Sequence, residues 1–202
     1  MHKEIFTKEQ EKILPLVVDF SDRFGLVGGT AIALHLGHRR SIDFDLFSNK
    51  KFGNQSLLNK ILTFGKPDQI LFNRLGELTF IINGVKMTFF HYPYDIIYAE
   101  SFGYKIKMPD LLTLASMKAF ALGQRAKWKD YVDLFFIIKD HYSITQISEK
   151  SQEIFSGFNE KLFRSQLAYF DGINYDEVVE YLPGFEIPDD IIKQKLVEFS
   201  LA

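Results

Sequence analysis

Residues 26–47 of the chain read LVGGTAIALHLGHRRSIDFDLF. A short apolar segment leads into Gly28-Gly29-Thr30, and a later apolar segment carries Asp43 and Asp45 one residue apart. Aspartate is depleted in strand interiors. The pair therefore lies either on a solvated strand face or at a site where carboxylates have a chemical role, and any prediction of function depends on which.

Alternation predicts a strand over residues 42–47. Ile42, Phe44 and Leu46 would share one face, and Asp43 and Asp45 would project together from the other. Two neighbouring carboxylates repel and raise each other's pKa unless a cation lies between them. Oxygen ligands in this arrangement suit Mg²⁺, which takes one or two carboxylates and completes its shell with water and phosphate oxygens.

The turn Gly28-Gly29-Thr30 is predicted to connect a short strand to a helix over residues 30–36, which Gly37 ends. Glycines let backbone N–H groups approach phosphate oxygens, and the N-terminus of a helix favours negative charge. The alternative is a tight turn beside the solvated face of an edge strand. The turn and the aspartate pair together favour a site for Mg²⁺ and a phosphorylated ligand.

Bulk properties exclude several classes of protein. The chain has 202 residues, no cysteine and a formal net charge of −2, so disulfides and thiolate metal sites are excluded. The N-terminal residues mix both signs of charge, which is unlike a signal peptide. No run approaches the ~20 apolar residues that span a bilayer. These features predict a cytoplasmic protein that does not enter a membrane.

The order of the remaining elements predicts an α/β part over residues 1–108 and a helical part over residues 109–202, although the two could also form one compact domain. Thr7 and Gln10 form a predicted capping box, and Asn83-Gly84 predicts a two-residue hairpin turn. Strands are predicted over residues 69–73, 77–82, 85–91 and 103–107. Helices are predicted to start at Thr7, to cover residues 55–64, and to run from Pro109 to about His141 with a separation near residues 123–125. Amphipathic pieces around residues 146–156 and 159–170, breaks at residues 183–189 and a closing helix are predicted to follow.

The stretch from the glycine turn to Asp45 resembles the nucleotidyltransferase fold signature. Within it, Arg39-x-Ser41-x-Asp43-x-Asp45 resembles the AbiEii-type nucleotidyltransferases, toxins of bacterial abortive-infection and toxin–antitoxin systems. A later segment, Lys118-x-x-Ala121…Arg125…Lys129-Asp130-x-x-Asp133-Leu134, is similar to the C-terminal motifs of that family. The resemblance covers roughly residues 24–138.

The resemblance implies a minimal mixed sheet with flanking helices and a helical C-terminal part. It also implies Mg²⁺-dependent transfer of a nucleoside monophosphate from an NTP, an RNA acceptor in some members and a cognate antitoxin protein. Carried over by position, it assigns phosphate or nucleotide binding to Gly28, Gly29, Thr30, Arg39, Ser41 and Lys118. It assigns Mg²⁺ binding to Asp43 and Asp45, and an additional acid or base to Asp130 or Asp133.

The residues themselves leave two of these assignments open. Lys118 shares a helical stripe with Leu111, Leu114 and Leu122, so its ammonium needs an anion, which could be a phosphate or a structural carboxylate. Asp133 lies in the apolar run YVDLFFII and could be catalytic or the ion-pair partner of a lysine. The runs His38-Arg39-Arg40 and Arg125-Lys127-Lys129 could form a patch that reads RNA phosphates.

The sequence departs from the fold's pattern at one position. Most active enzymes of this fold place a third carboxylate on a neighbouring strand, where it helps a second metal and activates the attacking hydroxyl. The expected position is Thr88, and neither Thr88 nor Lys86 is acidic, while Glu77 and Asp95 are out of register. Two alternatives therefore stay open: an impaired module of this fold that binds a nucleotide or a partner, and a transferase that modifies a small molecule such as an antibiotic.

Overall fold

The computed structural model describes residues 1–103 and 105–202. The chain divides into two compact units. The α/β unit comprises Met1–His35 and Ser41–Asp110, and the helical unit comprises Leu36–Arg40 and Leu111–Ala202. The segment Leu36–Arg40 lies in sequence between the glycine turn and the aspartate pair, and yet it groups with the C-terminal helices.

The α/β unit is built on a mixed sheet. Its elements are a 3₁₀ turn (Lys3–Ile5), α1 (Lys8–Phe20), β1 (Gly25–Val27), α2 (Gly28–Leu36, whose last residue groups with the helical unit), β2 (Phe44–Ser48), α3 (Asn54–Phe64), β3 (Gln69–Arg74), β4 (Glu77–Ile82), β5 (Val85–His91), β6 (Glu100–Phe102) and β7 (Ile106–Met108). Within the described residues the main sheet has the order β1-β2-β5-β4-β3, and β6 pairs with β7. Strands β2 and β5 are parallel, and the other neighbours are antiparallel. The predicted mixed α/β fold is confirmed.

One face of the sheet forms the core of this unit. Phe44 of β2, Phe89 of β5 and Phe80 of β4 are fully buried, and the ring of Phe20 on α1 packs against Phe89 with 4.7 Å between ring centroids. Burying a phenylalanine side chain contributes about 1.5–3 kcal/mol. Side chains alternate along a strand. The residues next to these phenylalanines in each strand, such as Asp45 after Phe44, therefore lie on the opposite face.

Local signals in the sequence predicted several elements correctly. Thr7 accepts a hydrogen bond from the backbone N–H of Gln10, and the Gln10 side chain accepts one from the backbone N–H of Thr7. Asn83 and Gly84 both have positive φ, at 50° and 74°, as the predicted hairpin turn requires. The strands predicted over residues 69–73, 77–82 and 85–91 are confirmed within one residue.

Three predicted boundaries were wrong. Strand β2 begins at Phe44, so Ile42 and Asp43 precede it and Ile42 is 55% exposed. Helix α2 already begins at Gly28, and α4 begins at Leu111. The predicted strand over residues 103–107 includes Tyr104, which lies outside the described residues. The strand observed in this part of the chain is β7, Ile106–Met108.

The helical unit contains α4 (Leu111–Leu122), α5 (Trp128–Asp140), α6 (Ile144–Ile154), α7 (Glu160–Leu167) and α8 (Asp189–Leu201). Residues 131–138 of helix α5 are apolar except for Asp133, and most of the helix is buried. It contacts α8 through Phe135 and Phe199, whose ring centroids are 6.2 Å apart. Among the described residues, no helix has the length and apolar content needed to cross a membrane.

Candidate functional site

The glycine turn and the second aspartate are in contact. Val27, the last residue of β1, pairs with Asp45 of β2, and Gly28 follows at the first position of α2. A Cβ atom on Gly28 would lie 2.5 Å from Asp45 Oδ2, and Gly28 has a φ of +70°. Gly28 is therefore required both for its backbone conformation and for the space that the Asp45 carboxylate occupies beside the N-terminus of α2.

We expect Gly28→Ala to destabilise the chain by about 1–2 kcal/mol through backbone strain and, in addition, to displace the Asp45 carboxylate. Gly84→Ala is the matched control, because Gly84 has a similar φ of +74° and no atom within 4 Å of an added Cβ. Urea unfolding of both variants separates the two effects. Equal losses of stability would show that the contact with Asp45 contributes nothing.

The side chain of Thr30 is used inside the unit. It is 1% exposed, and its hydroxyl hydrogen-bonds both the Ser41 hydroxyl, at 2.9 Å, and the backbone carbonyl of Asp43. Gln10 donates a hydrogen bond of 2.7 Å to the Ser41 carbonyl. These bonds hold residues 41–43 outside the β ladder, which explains why β2 begins later than predicted. Because the Thr30 and Ser41 hydroxyls hydrogen-bond within the unit, we expect a ligand to meet the backbone N–H groups in the first turn of α2.

Asp43 lies one residue before β2, and its carboxylate forms an ion pair with Lys86 of β5. The distance between Lys86 Nζ and Asp43 Oδ2 is 2.5 Å, with the side chains 38% and 27% exposed. Lys86 is two residues from Thr88, so the two share one face of β5, and Thr88 pairs with Asp45 in the parallel ladder. Asp43 and Asp45 thus reach the same face of the sheet, although Asp43 does so from a loop.

The position of the missing third acid is occupied by hydroxyl groups. Thr88 lies beside Asp45, and Thr79 of the next strand pairs with Thr88. Glu77 pairs with Arg74 at 2.6 Å, and Asp95 accepts a hydrogen bond from Asn49. Among the described residues, no group of three His, Asp or Glu side chains could hold a metal ion. Two carboxylates fit one hydrated Mg²⁺ completed by substrate phosphates and do not fit two such ions.

The other predicted site residues form a buried ionic network in the helical unit. The Asp133 carboxylate accepts hydrogen bonds of 2.8 Å from Nε and one terminal nitrogen of Arg39 and from Nε2 of His38. Lys118 Nζ lies 2.7 Å from Asp130 and 3.0 Å from Asp133. All five side chains are at most 6% exposed. With neutral His38, two cations face two anions, so the network carries no net charge.

The charges of this network fix its protonation. Burial raises the pKa of Asp133, but the charges of Arg39 and Lys118 and the hydrogen bond from His38 outweigh burial, so the pKa lies well below its usual range. Burial lowers the pKa of His38 more than Asp133 raises it, which keeps the imidazole neutral at pH 7. Burial lowers the pKa of Lys118, but Asp130 and Asp133 raise it further. Lys118 stays charged.

These contacts bear on the sequence-based assignments. Arg39 was predicted to bind nucleotide, and its guanidinium instead makes a bidentate contact with Asp133. The sequence leaves open whether Lys118 meets a phosphate or a structural carboxylate, and in the structure two carboxylates contact its ammonium. Asp130 and Asp133 are the partners of these cations. That these four residues take part directly in binding or catalysis stays a prediction. Their contacts in the helical unit are those of a structural network. The four are Arg39, Lys118, Asp130 and Asp133.

The predicted basic patch is largely paired with acids. Arg40 Nε lies 2.7 Å from Glu180, and Lys127 Nζ lies 2.6 Å from Glu177. The hydrogen bond from Lys127, together with the charges of Lys127 and Lys129, lowers the pKa of Glu177 to about 2. Arg125 reaches Asp130. Because nearby carboxylates neutralise these basic side chains, the patch attracts an RNA phosphate backbone less strongly than the sequence alone indicates.

Two participants were missed by reasoning from the sequence. From the sequence, Lys86 is considered only as a residue that is not acidic, and His38 is considered only as part of a possible phosphate-reading patch. The ion pair of Lys86 depends on the parallel pairing of β2 with β5, which no local signal indicates. For His38, the adjacent Arg39 could have indicated the network. Two neighbouring basic residues next to an apolar helix can both contact one buried acid, as His38 and Arg39 contact Asp133.

Comparisons with known proteins place this geometry in context. No protein-family model matches the chain. An uncharacterized protein of Aquifex aeolicus strain VF5 is 28% identical over 199 residues, which are 95% of this chain and 96% of that protein. The similarity extends over nearly the whole length of both proteins and carries no information about activity.

Solved structures share the fold. A candidate nucleotidyltransferase from H. pylori has a TM-score of 0.55 and 13% identity, over 97% of this chain and 95% of its own. MenT4, a nucleotidyltransferase toxin from Mycobacterium tuberculosis H37Rv, has a TM-score of 0.54 and 10% identity, over 96% and 86%. The chain therefore has the nucleotidyltransferase fold. The narrower resemblance to the AbiEii-type proteins stays a prediction.

Proposed function

We propose that this protein is a nucleotidyltransferase that moves a nucleoside monophosphate from an NTP to an acceptor hydroxyl. The observation that carries the proposal is the contact between Gly28 and the Asp45 carboxylate at the N-terminus of α2. A helix N-terminus binds phosphate oxygens, and a carboxylate directly beside it is unfavourable for a phosphate unless a cation bridges the two. A nucleotide with its Mg²⁺ satisfies both requirements.

The roles of the residues follow from their positions. Backbone N–H groups of Gly29 and Thr30 bind the triphosphate, and Asp43 and Asp45 would hold Mg²⁺. When bound, that ion neutralises phosphate charge and polarises the reacting phosphoryl group. The acceptor oxygen attacks the α-phosphorus, and its P–O bond forms while the hydroxyl proton passes to solvent water. The bond to the β-phosphate oxygen breaks and pyrophosphate leaves. The low pKa of Asp133 makes its carboxylate a weak general base, and the acid or base role assigned to Asp130 or Asp133 stays a prediction.

The acceptor and the biological role are further parts of the proposal. A toxin among the structures that share the fold, together with the sequence resemblance, supports a toxin that modifies RNA in the cytoplasm and is neutralised by a cognate antitoxin protein. The same fold serves unrelated substrates, so a small-molecule acceptor such as an antibiotic is the competing assignment within the class of transferases.

The test is nucleotide labelling. We expect the purified chain, given each α-³²P-labelled NTP with Mg²⁺ and total cellular RNA, to label RNA, and EDTA to abolish the labelling. Labelling of RNA that weakens steeply with added salt would support a polyanionic acceptor. If neither RNA, protein nor hydroxyl-bearing antibiotics become labelled with any NTP, the proposed activity is wrong.

A second candidate is a module of the same fold that binds a nucleotide without turning it over. The ion pair between Lys86 and Asp43 and the hydroxyl group at Thr88 favour it, because both differ from a site with three carboxylates. Calorimetry distinguishes the two candidates. Binding of NTP with Mg²⁺ in the absence of any labelling would favour the module, and labelling would exclude it.

A further inference from the structure

The cation closest to the aspartate pair belongs to the protein itself. Lys86 Nζ lies 2.5 Å from Asp43 Oδ2, on the face of β5 that also carries Thr88, and Thr88 pairs with Asp45. Continuing the parallel register that joins Phe44 to Met87 places Lys86 next to Asp43. The ammonium is therefore positioned by the sheet and not only by its own flexible side chain.

The charges at this site differ from those of a two-metal site. Two divalent ions bridging a triphosphate need several carboxylates around them, and the described part of the chain offers two here together with one lysine. A lysine ammonium binds phosphate as a point charge. If Asp43 and Asp45 held Mg²⁺, Lys86 would supply a second positive charge at the same site, because its ammonium contacts Asp43.

We propose that Lys86 takes the place of a second divalent cation. Its ammonium, positioned by Asp43, contacts the triphosphate of the bound NTP, and the site takes one divalent ion for each nucleotide. The inference rests on the proposed function, since it assigns one more contact to the same nucleotide. Lys86 then binds substrate directly, in addition to balancing the charge of Asp43.

Binding measurements on the chain of residues 1–202 test this proposal. The probes are α,β-methylene analogues of the four ribonucleoside triphosphates with Mn²⁺, followed by calorimetry and by electron paramagnetic resonance of the bound Mn²⁺. We expect one Mn²⁺ per bound nucleotide in the wild type and a loss of nucleotide affinity of about tenfold or more in Lys86→Met. Lys107→Met is the matched control, because Lys107 is an exposed strand residue of the same unit.

A third variant, Lys86→Glu, keeps the experiment decisive if Lys86→Met folds poorly. It adds a carboxylate beside Asp43, so we expect it to bind a second Mn²⁺. Two Mn²⁺ per nucleotide in the wild type, or equal affinities in a folded Lys86→Met and in Lys107→Met, would overturn the inference and leave the proposed function intact. A wild-type chain that binds no nucleotide would overturn both.

Discussion

Asp45→Asn is expected to lower the rate of nucleotide transfer by on the order of 10³-fold, because the metal-mediated stabilisation that a carboxylate supports is worth several kcal/mol and each 1.36 kcal/mol is tenfold in rate. Asparagine has the size of aspartate, so the contact with Gly28 persists and the fold is retained. The measurement is labelling with α-³²P-NTP under saturating Mg²⁺, with thermal unfolding as the check on folding.

Asp22→Asn is the matched control for this prediction. Asp22 is exposed after α1, and its replacement removes the same charge from the α/β unit without touching the site. We expect it to retain wild-type labelling. If Asp45→Asn also retained wild-type labelling while remaining folded, the carboxylate would have no part in the reaction, and the proposed site would be wrong.

Asp133→Ala is expected to destabilise the helical unit by about 3–5 kcal/mol, the cost of removing one partner from a buried ion pair. The carboxylate accepts hydrogen bonds from Arg39 and His38 and contacts Lys118, so its loss leaves a guanidinium buried without compensation. Trp128 is the only tryptophan of the chain and is 3% exposed on α5. Its fluorescence during urea unfolding therefore reports on this unit.

Asp140→Ala on the same helix is the control, since Asp140 is about half exposed and pairs only with its neighbour Lys139 among the contacts described. A loss below 1 kcal/mol is expected there. A loss as small in Asp133→Ala would contradict a structural role for the network. Labelling by Asp133→Asn, assayed where it is fully folded, then tests the role predicted from the sequence: retained transfer supports a structural part, and lost transfer supports a catalytic one.

Most of the α/β fold could be predicted from the sequence, because burial on one face of a strand imposes a period of two residues on its side chains. Phe80 and Phe89 are buried at positions that this period selects, and Asn83-Gly84 defines the turn between their strands. The aspartate segment satisfied the same period and was predicted two residues too long at its start. Hydrogen bonds from Thr30 to Asp43, 13 positions away, and from Gln10 to Ser41, 31 positions away, hold Ile42 and Asp43 out of the ladder.

The candidate site was predictable only where its residues are close in sequence. Gly28 and Asp45 belong to one motif, and their contact agrees with the hypothesis built on that motif. The partners of the charged residues were not predictable, because charges do not reveal whether an ammonium meets a phosphate or a carboxylate. Arg39 and Asp133 are 94 positions apart, and only the folded structure, in which they form a hydrogen bond of 2.8 Å, shows that their charges neutralise each other.

The grouping of Leu36–Arg40 with the C-terminal helices affects how the protein can be dissected. The chain passes from one unit to the other between residues 35 and 36, 40 and 41, and 110 and 111. A fragment ending at Asp110 would keep His38 and Arg39 and lose the acid that neutralises them, while the complementary fragment would keep Asp133 without its guanidinium. We therefore expect neither fragment from a cut near residue 108 to fold stably alone. The two fragments together would regain the buried ion pairs only by associating.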